Sequence, residues 1–359
     1  MINLKIKEIF DEFDHMNNFK SCQELTSGHI NDTYYVKTDG SEAYILQRIN
    51  HTVFKNVPGL VRNKVAVSQH LKNKLSNLSI DEINKKVVQF IKSKKTENYY
   101  YKDGDDYWNL MSYIKGSYTY EVVKDEQIAY EAGKLLGEFH SLTADFDSTQ
   151  LIEVIPNFHD MEFRYKQYAY AVQSASIERL LKAEKLNVLV SEYKEEMHII
   201  QNLRDSEKIP LRVTHNDTKI SNTLFDKNNR GMCLIDLDTV MPGVVHYDFG
   251  DAIRTICNTA TEDEKDLKKV EFNLEYYKAY LNGFLKSSKD SLSFLEIENL
   301  ALSAKTMIFI IGLRFLTDYL LDDKYYKTKY EEHNLDRAKN QFKLIESFNE
   351  QLDKVKSLV

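Results

Sequence analysis

The 359-residue sequence predicts an α+β protein of two lobes, the first rich in sheet and the second mainly helical. Three observations carry that expectation. Strand-like runs bounded by turn residues follow a short opening helix and fill most of the first hundred or so positions. From about residue 126 the apolar residues fall at helical spacing. Between residues 213 and 240 a polar cluster, "VTHNDTKISNTLFD" and then "CLIDLDTV", interrupts the helices. The lobes divide as residues 1–114 and 115–359.

Within the first lobe, "QELTSGHINDTYYVKT" and "EAYILQRIN" are apolar and aromatic runs broken at Gly28 and at "TDGS", as neighbouring antiparallel strands would be. A helix is expected over 58–77, with Pro58 suited to its first turn. Three more strands are expected in "KKVVQFIKSKK", "NYYYKDG" and "DDYWNLMSYI", the last two joined by a "KDGD" turn. In the second lobe "EQIAYEAGKLLGEFHSL" reads as a helix, followed by helices over 157–173, 176–203, 268–286, 293–320 and 334–357. Two short strands, "LRVTH" and "CLIDL", are expected to form a small hairpin that carries the polar cluster.

Composition narrows the function classes. Hydrophobic residues make up 42% and charged residues 29%, ordinary for a globular chain. A net charge of −7 argues against a broad nucleic-acid-binding surface, though a local basic cleft could still hold a phosphorylated ligand. Cys22, Cys233 and Cys257 are odd in number and in no C-x-x-C arrangement, which reads as reduced thiols without a disulfide framework or zinc site. The N-terminal stretch mixes acids with apolar residues, and the longest strongly apolar run, "MIFIIGL", falls short of a membrane span. The expectation is a cytoplasmic protein with a small-molecule partner, no nucleic acid and no membrane, as a monomer or weak homodimer.

The polar cluster has the spacing H-x-D-x-x-x-x-N, here His215, Asp217 and Asn222, which is that of a kinase catalytic loop. Phosphoryl transfer passes through a loose transition state, so the protein mainly positions groups and neutralises charge. A carboxylate must face the acceptor hydroxyl, and Asp217 fits. An amide oxygen and a second carboxylate must hold Mg²⁺ against nucleotide phosphates, and Asn222 and Asp236 fit. Lys219 can offset negative charge on a transferring phosphoryl group. The alternative is that His215 and Asp217 cap a turn that Asn222 closes.

With those residues in view, the chain resembles the aminoglycoside phosphotransferase and choline kinase superfamily, which shares the two-lobed protein-kinase-like fold. "GHINDTY", "YILQRIN", "IPNFHD", "THNDTKISN", "IDLDTVMPG", "YDFGDAIR" and "RFLTDYL", from residue 28 to 320, resemble the N-acetylhexosamine 1-kinases. The resemblance implies an ATP- and Mg²⁺-dependent kinase with Asp217 as base facing a sugar hydroxyl, Lys219 beside it, and Asn222 and Asp236 as metal ligands. It further implies that Asp238 assists at a second metal or stands behind the first, that Asp248 braces the loop, and that His215 is scaffolding.

On the nucleotide side the resemblance places Gly28, Asn31 and Thr33 in a hairpin over the phosphates. It makes Arg48 of "YILQR" the phosphate-anchoring cation, an exposed strand arginine being the competing reading. It puts Ser112 and Tyr113 at a hinge whose backbone meets adenine. One departure stands out: helix 58–77 contains no Asp or Glu, so the usual ion pair between the cation and a helix carboxylate cannot form, and Asn63 is a candidate substitute. On the acceptor side it implies Arg314 and Tyr325 in the sugar pocket, with His29 above and His159 or Arg164 nearby. Against the arginine's ligand role stands a structural pair with Asp318, one helical turn on. Choline-type acceptors need an aromatic box, and the sole tryptophan, Trp108, falls at the expected hinge instead. The competing functions are a kinase of the same fold for another sugar or amino alcohol, a nucleotide-binding protein without transfer activity, and a metal-dependent hydrolase.

Overall fold

A computed structural model of the chain describes residues 2–25 and 30–358. The expected Gly28 and His29 contacts lie outside the described residues. The first lobe runs α1 (Ile2–Phe10), β1 (Phe19–Leu25), β2 (Asp32–Thr38), β3 (Ala43–Ile49), α2 (Val57–Lys74), α3 (Ile80–Lys86), β4 (Phe90–Ile91), β5 (Tyr101–Asp103) and β6 (Asp106–Ser112). Its antiparallel sheet has the order β1-β2-β3-β6-β4, with β5 also paired to β6. Side chains alternate across a strand, and that alternation splits β3. Tyr44 and Leu46 join Val36, Trp108 and Leu110 against Ile6, Ile9 and Phe10 of α1. Ile49 turns the other way and packs on Val57, Leu60 and Val61 of α2.

Two local rules explain this lobe's helices. In α2, Pro58 takes the first turn, where its missing N–H costs nothing, and Asn56 caps by accepting from the Gly59 N–H at 3.0 Å. In α3, Ser79 and Glu82 form a reciprocal capping box. That box claims part of the stretch before "VVQFI", so the strand expected there shrinks to Phe90–Ile91, opposite Met111 and Leu110.

The second lobe runs α4 (Glu126–Leu142), α5 (Met161–Ser174), α6 (Ile177–Lys182), α7 (Glu184–Met197), α8 (Ile199–Asp205), β7 (Arg212–Thr214), β8 (Thr223–Phe225), β9 (Gly231–Leu234), β10 (Met241–Gly243), α9 (Val245–Ile256), α10 (Leu274–Ser288), α11 (Phe294–Glu298), α12 (Leu300–Leu320), α13 (His333–Asn349) and α14 (Leu352–Lys356). The helix expected over 176–203 is three helices. At one junction His198 spends its ring Nδ1 on the Lys194 carbonyl at 2.7 Å, a side-chain bond in competition with the helix ladder. The helix expected from 268 starts at Leu274, because Phe272 bridges to Asn258 and Asn273 is the cap.

The main core joins α4, α9, α10, α12 and α13. Helix α12 is long and apolar enough to cross a membrane, a property the short "MIFIIGL" run did not reveal, but its residues are mostly buried in protein. Helices α4 and α10 touch backbone to backbone: a Cβ on Gly133 would stand 2.1 Å from the Tyr280 carbonyl oxygen, and one on Gly283 would stand 2.1 Å from that of Tyr130. The two strands expected to pair with each other do not. β7 pairs with β10, and β8 with β9, so the polar loop hangs between two separate ladders.

Candidate active site

The loop from β7 to β8 holds a shape its own residues could not maintain alone. Asn216 sits at φ 62°, a left-handed conformation that asparagine tolerates better than most residues. Its side-chain Nδ2 donates to the Thr214 Oγ1 at 2.8 Å and to the Thr239 carbonyl at 3.0 Å. The loop's N–H groups point at α9. Asp248 accepts from the N–H of His215 at 2.8 Å and of Asn216 at 2.7 Å. Asp251 accepts from the Thr218 N–H at 2.9 Å, and the Thr255 hydroxyl from the Ile220 N–H at 3.1 Å.

Residues 248, 251 and 255 are spaced by three and four, so one face of one helix makes the whole clamp. Burial works to raise the Asp248 carboxyl, but His140 and His215 hold it below the usual range, so it is an anion. His140 Nε2 stands 3.0 Å away with both side chains inaccessible. His215 is fully buried and spends its Nε2 on the Ile235 carbonyl at 2.9 Å, which ties the loop to the segment after β9. Asp251 and Thr255 escaped the sequence reading, although their helical spacing from Asp248 was there to find.

On the outer side of the loop the chemistry-bearing groups meet. Asp217 Oδ2 accepts from Lys219 Nζ at 2.8 Å and from Asn222 Nδ2 at 2.9 Å. Burial pushes the Asp217 carboxyl up, but Lys219 outweighs it and the group stays below its ordinary range. Lys219 in turn is held above its ordinary range by Asp217 and Asp236, against the effect of burial. Asp236 stands at φ 62°, strained for a non-glycine residue, which turns it out of the strand line after β9. Burial first, then Asp238 and Asp217, push its carboxyl up to about 7, so Asp236 stands in the same field as the other acids. Among the described residues no group of three His, Cys, Asp or Glu side chains meets as a metal cluster. The Asp236 carboxylate and the Asn222 amide oxygen are nonetheless hard donors of the kind Mg²⁺ takes alongside phosphate oxygens and water.

The nucleotide side departs from expectation at four places. Arg48 follows Leu46 on β3 at the two-residue repeat, so it faces α1 and away from α2. It donates from Nε to Asp32 at 2.8 Å and reaches Asp106 at 3.4 Å, with 42% of its side chain exposed. The expected phosphate-anchoring role is therefore corrected: Arg48 is a half-exposed cross-strand partner on the outer face. Ser112 and Tyr113, expected at a hinge whose backbone meets adenine, have their N–H groups already in use. Their N–H groups bond the Gln89 and Ala43 carbonyls, both at 3.0 Å. Asn31 is occupied as well, bonding Asp238 through Nδ2 and accepting the Asn50 N–H at 2.8 Å. Thr33 lies opposite Gln47 of β3, and so on the sheet face toward α2. Asn63 does not replace a helix carboxylate; its Nδ2 holds the Ile152 and Val240 carbonyls at 2.8 and 2.9 Å.

Arg314, Tyr325 and Arg164, expected around an acceptor, lie near one another. The Arg314 guanidinium lies over the rings of Phe158 at 5.0 Å, Tyr326 at 5.6 Å and Tyr325 at 5.9 Å. It forms no pair with Asp318, whose carboxylate accepts instead from the N–H groups of Tyr325 and Tyr326 at 2.8 and 2.9 Å. Arg164 joins it: burial, then the Arg314 charge, pushes Arg164 down to about 10. Among the described residues neither arginine makes an ion pair. Buried His159, beside Phe158, reaches the Asn216 carbonyl at 3.4 Å and so connects this pocket to the loop that carries Asp217.

Comparison with known proteins agrees with the architecture. A family model described as "APH: Phosphotransferase enzyme family" matches residues 21–287. Among solved structures, a microcompartment-associated aminopropanol kinase is 14% identical, with a TM-score of 0.61 and 98% of each chain covered. An amicoumacin kinase in complex with AMP-PNP, Ca²⁺ and Ami is 13% identical at a TM-score of 0.60, over 96% of this chain and 93% of that one. A spectinomycin phosphotransferase with ADP and spectinomycin is 11% identical at 0.57, over 98% of both. At such identities the likeness establishes the fold, a sheet-rich first lobe and a helical second lobe of the kinase-like type.

Proposed function

The chain belongs to the APH phosphotransferase enzyme family, and from that premise we propose that it is an ATP- and Mg²⁺-dependent kinase phosphorylating the anomeric hydroxyl of N-acetylglucosamine or N-acetylgalactosamine. One observation carries the reading: Asp217, Lys219 and Asn222 converge on a loop clamped by α9, with Asp236 in their field. Asp217 is ionised and receives the hydroxyl proton as the oxygen attacks the terminal phosphorus of ATP, whose bond to the bridging oxygen breaks to release ADP. Lys219 balances charge on the transferring group. Asn222 and Asp236 would hold Mg²⁺, which neutralises phosphate charge and orients the triphosphate when bound. The nucleotides in the spectinomycin phosphotransferase and amicoumacin kinase complexes support ATP as donor.

The acceptor pocket supports a neutral polyol. Arg314 offers donors for sugar and acetamido oxygens, while Arg164, which donates to the Phe158 carbonyl and to Gln167, adds positive charge beside it; buried donors left unpaired penalise a wrong ligand. Two neighbouring arginines that make no ion pair among the described residues would repel an amine. That disfavours an acceptor like the aminopropanol of the structurally similar kinase, leaving another neutral or acidic sugar as the second reading. The test is ADP release with each N-acetylhexosamine, other hexoses and amino alcohols, followed by ³¹P NMR of the product. Hexosamine-stimulated ADP with phosphorus on C1 is the expected result. Stimulation by amino alcohols alone would overturn it, and phosphate release without phosphorylated product would mark a hydrolase.

A further inference from the structure

A kinase-like first lobe pairs a strand cation with a helix acid to hold the nucleotide phosphates. Here α2 has no acid and β3 sends no cation toward it. The face of β3 toward α2 carries Gln47, directly opposite Thr33 on β2 and Asn109 on β6. The row is neutral, half-buried at Thr33 and buried at Gln47 and Asn109. Asn109 is wholly buried and, among the described residues, neither atom of its amide finds a partner; nor do the Gln47 amide oxygen and the Ser68 hydroxyl on α2. Native folds rarely leave such groups empty unless something else meets them.

The positive charge comes from the helix. Lys64 of α2 is 1% exposed, and its ammonium bonds Asp238 Oδ1. Asp238 lies two residues past Asp236, on the turn that α2 packs against. Its other oxygen takes the Asn31 amide, so α2 and the start of β2 converge on one carboxylate beside the metal-binding acid. A lysine so buried is tolerated only with an ionised partner, and a purely structural site of this kind is usually no more stable than an apolar one.

We propose that Lys64 is the cation this chain presents to the nucleotide's β- and γ-phosphates, with Asp238 as its anchoring acid. The helix supplies the charge that the strand supplies elsewhere, and the acid moves to the segment after β9. This rests on the kinase reading above and accounts for a helix without acids. It also leaves Arg48 outside the site.

The test is binding of Mg·AMP-PNP and of AMP, each measured by competition with a fluorescent nucleotide. The proteins are the wild type, Lys64→Met, Lys64→Arg, the double variant Lys64→Met/Asp238→Asn, and Lys74→Met as an exposed control on the same helix. The double variant leaves no unpaired buried charge, so it remains folded, as a thermal melt will show. Expected is at least a tenfold loss of Mg·AMP-PNP affinity in both Lys64→Met proteins, most of it restored in Lys64→Arg. AMP affinity, which involves no β-phosphate, should change less than twofold. Wild-type Mg·AMP-PNP affinity in the double variant, or an equal loss for AMP, overturns the proposal. A wild-type protein that binds neither nucleotide overturns the kinase reading and this proposal together.

Discussion

Asp248→Asn isolates the clamp beneath the reactive loop. The wild-type carboxylate accepts from two buried N–H groups, at 2.8 and 2.7 Å, while its charge faces His140 at 3.0 Å. Bonds to an ionised acceptor contribute about 1.5–3 kcal/mol each. Asparagine has the same shape but one acceptor oxygen, so it keeps one bond and turns an NH₂ donor against the other N–H. The expected loss is roughly 2–4 kcal/mol, one charge-assisted bond plus the desolvation of an unpaired donor. Against a typical stability of about 5–15 kcal/mol the variant should still fold. The assay is a urea titration, in which the midpoint falls at unchanged slope. Turnover should fall as well, because His215 and Asn216 set the position of Asp217. A midpoint within about 0.5 kcal/mol of the wild type, in the terms of the same titration, would refute the claim that Asp248 carries the loop.

Four further outcomes follow from the same geometry. Asp217→Ala should lose turnover by about a hundredfold or more, the scale of general-base catalysis, while Mg·AMP-PNP binding stays within a few-fold; retention of most of the sugar kinase rate would defeat the mechanism. Arg314→Ala should raise KM for the sugar about tenfold or more, the scale of one lost charged hydrogen bond, and leave KM for ATP nearly unchanged in steady-state kinetics. Stability should decline on acidification, because burial pushes His159 down to about 3 and His246 down to about 4. Their folded pKa values lie below the ordinary value near 6.5, so the unfolded chain binds more protons; the contribution is whole above about pH 6.5 and weakens as pH falls toward the folded values. At pH 5 each histidine should cost about 2 kcal/mol, read from urea midpoints at pH 7 and 5, and a flat profile would contradict their burial as neutral rings. Gly283→Ala should destabilise by about 1–3 kcal/mol or more, since its Cβ would meet the Tyr130 carbonyl oxygen at 2.1 Å; an unchanged melting temperature would show that α4 and α10 can part freely.

The order of sheet and helix, and the polar loop that brings Asp217 and Asn222 together with Asp236 nearby, were legible in the residues alone. Periodicity is a local property, and a loop spaced H-x-D-x-x-x-x-N carries its requirement in sequence. Arg48 was not legible in the same way. Its residue type suited a phosphate cation, but only strand register decides a face, and register put it beside Asp32 and Asp106. Lys64 shows the converse, since a lysine in an acid-free helix looks like a solvated charge until the fold brings Asp238, 174 positions along the chain, into contact with it. The pairing of β7 with β10, the clamp from Asp251 and Thr255, and the release of Arg314 from Asp318 belong to the same class. Sequence determined which groups this protein owns and the local shapes they favour. Tertiary structure decided which of them face each other, because burial and pairing depend on distances that no local pattern encodes.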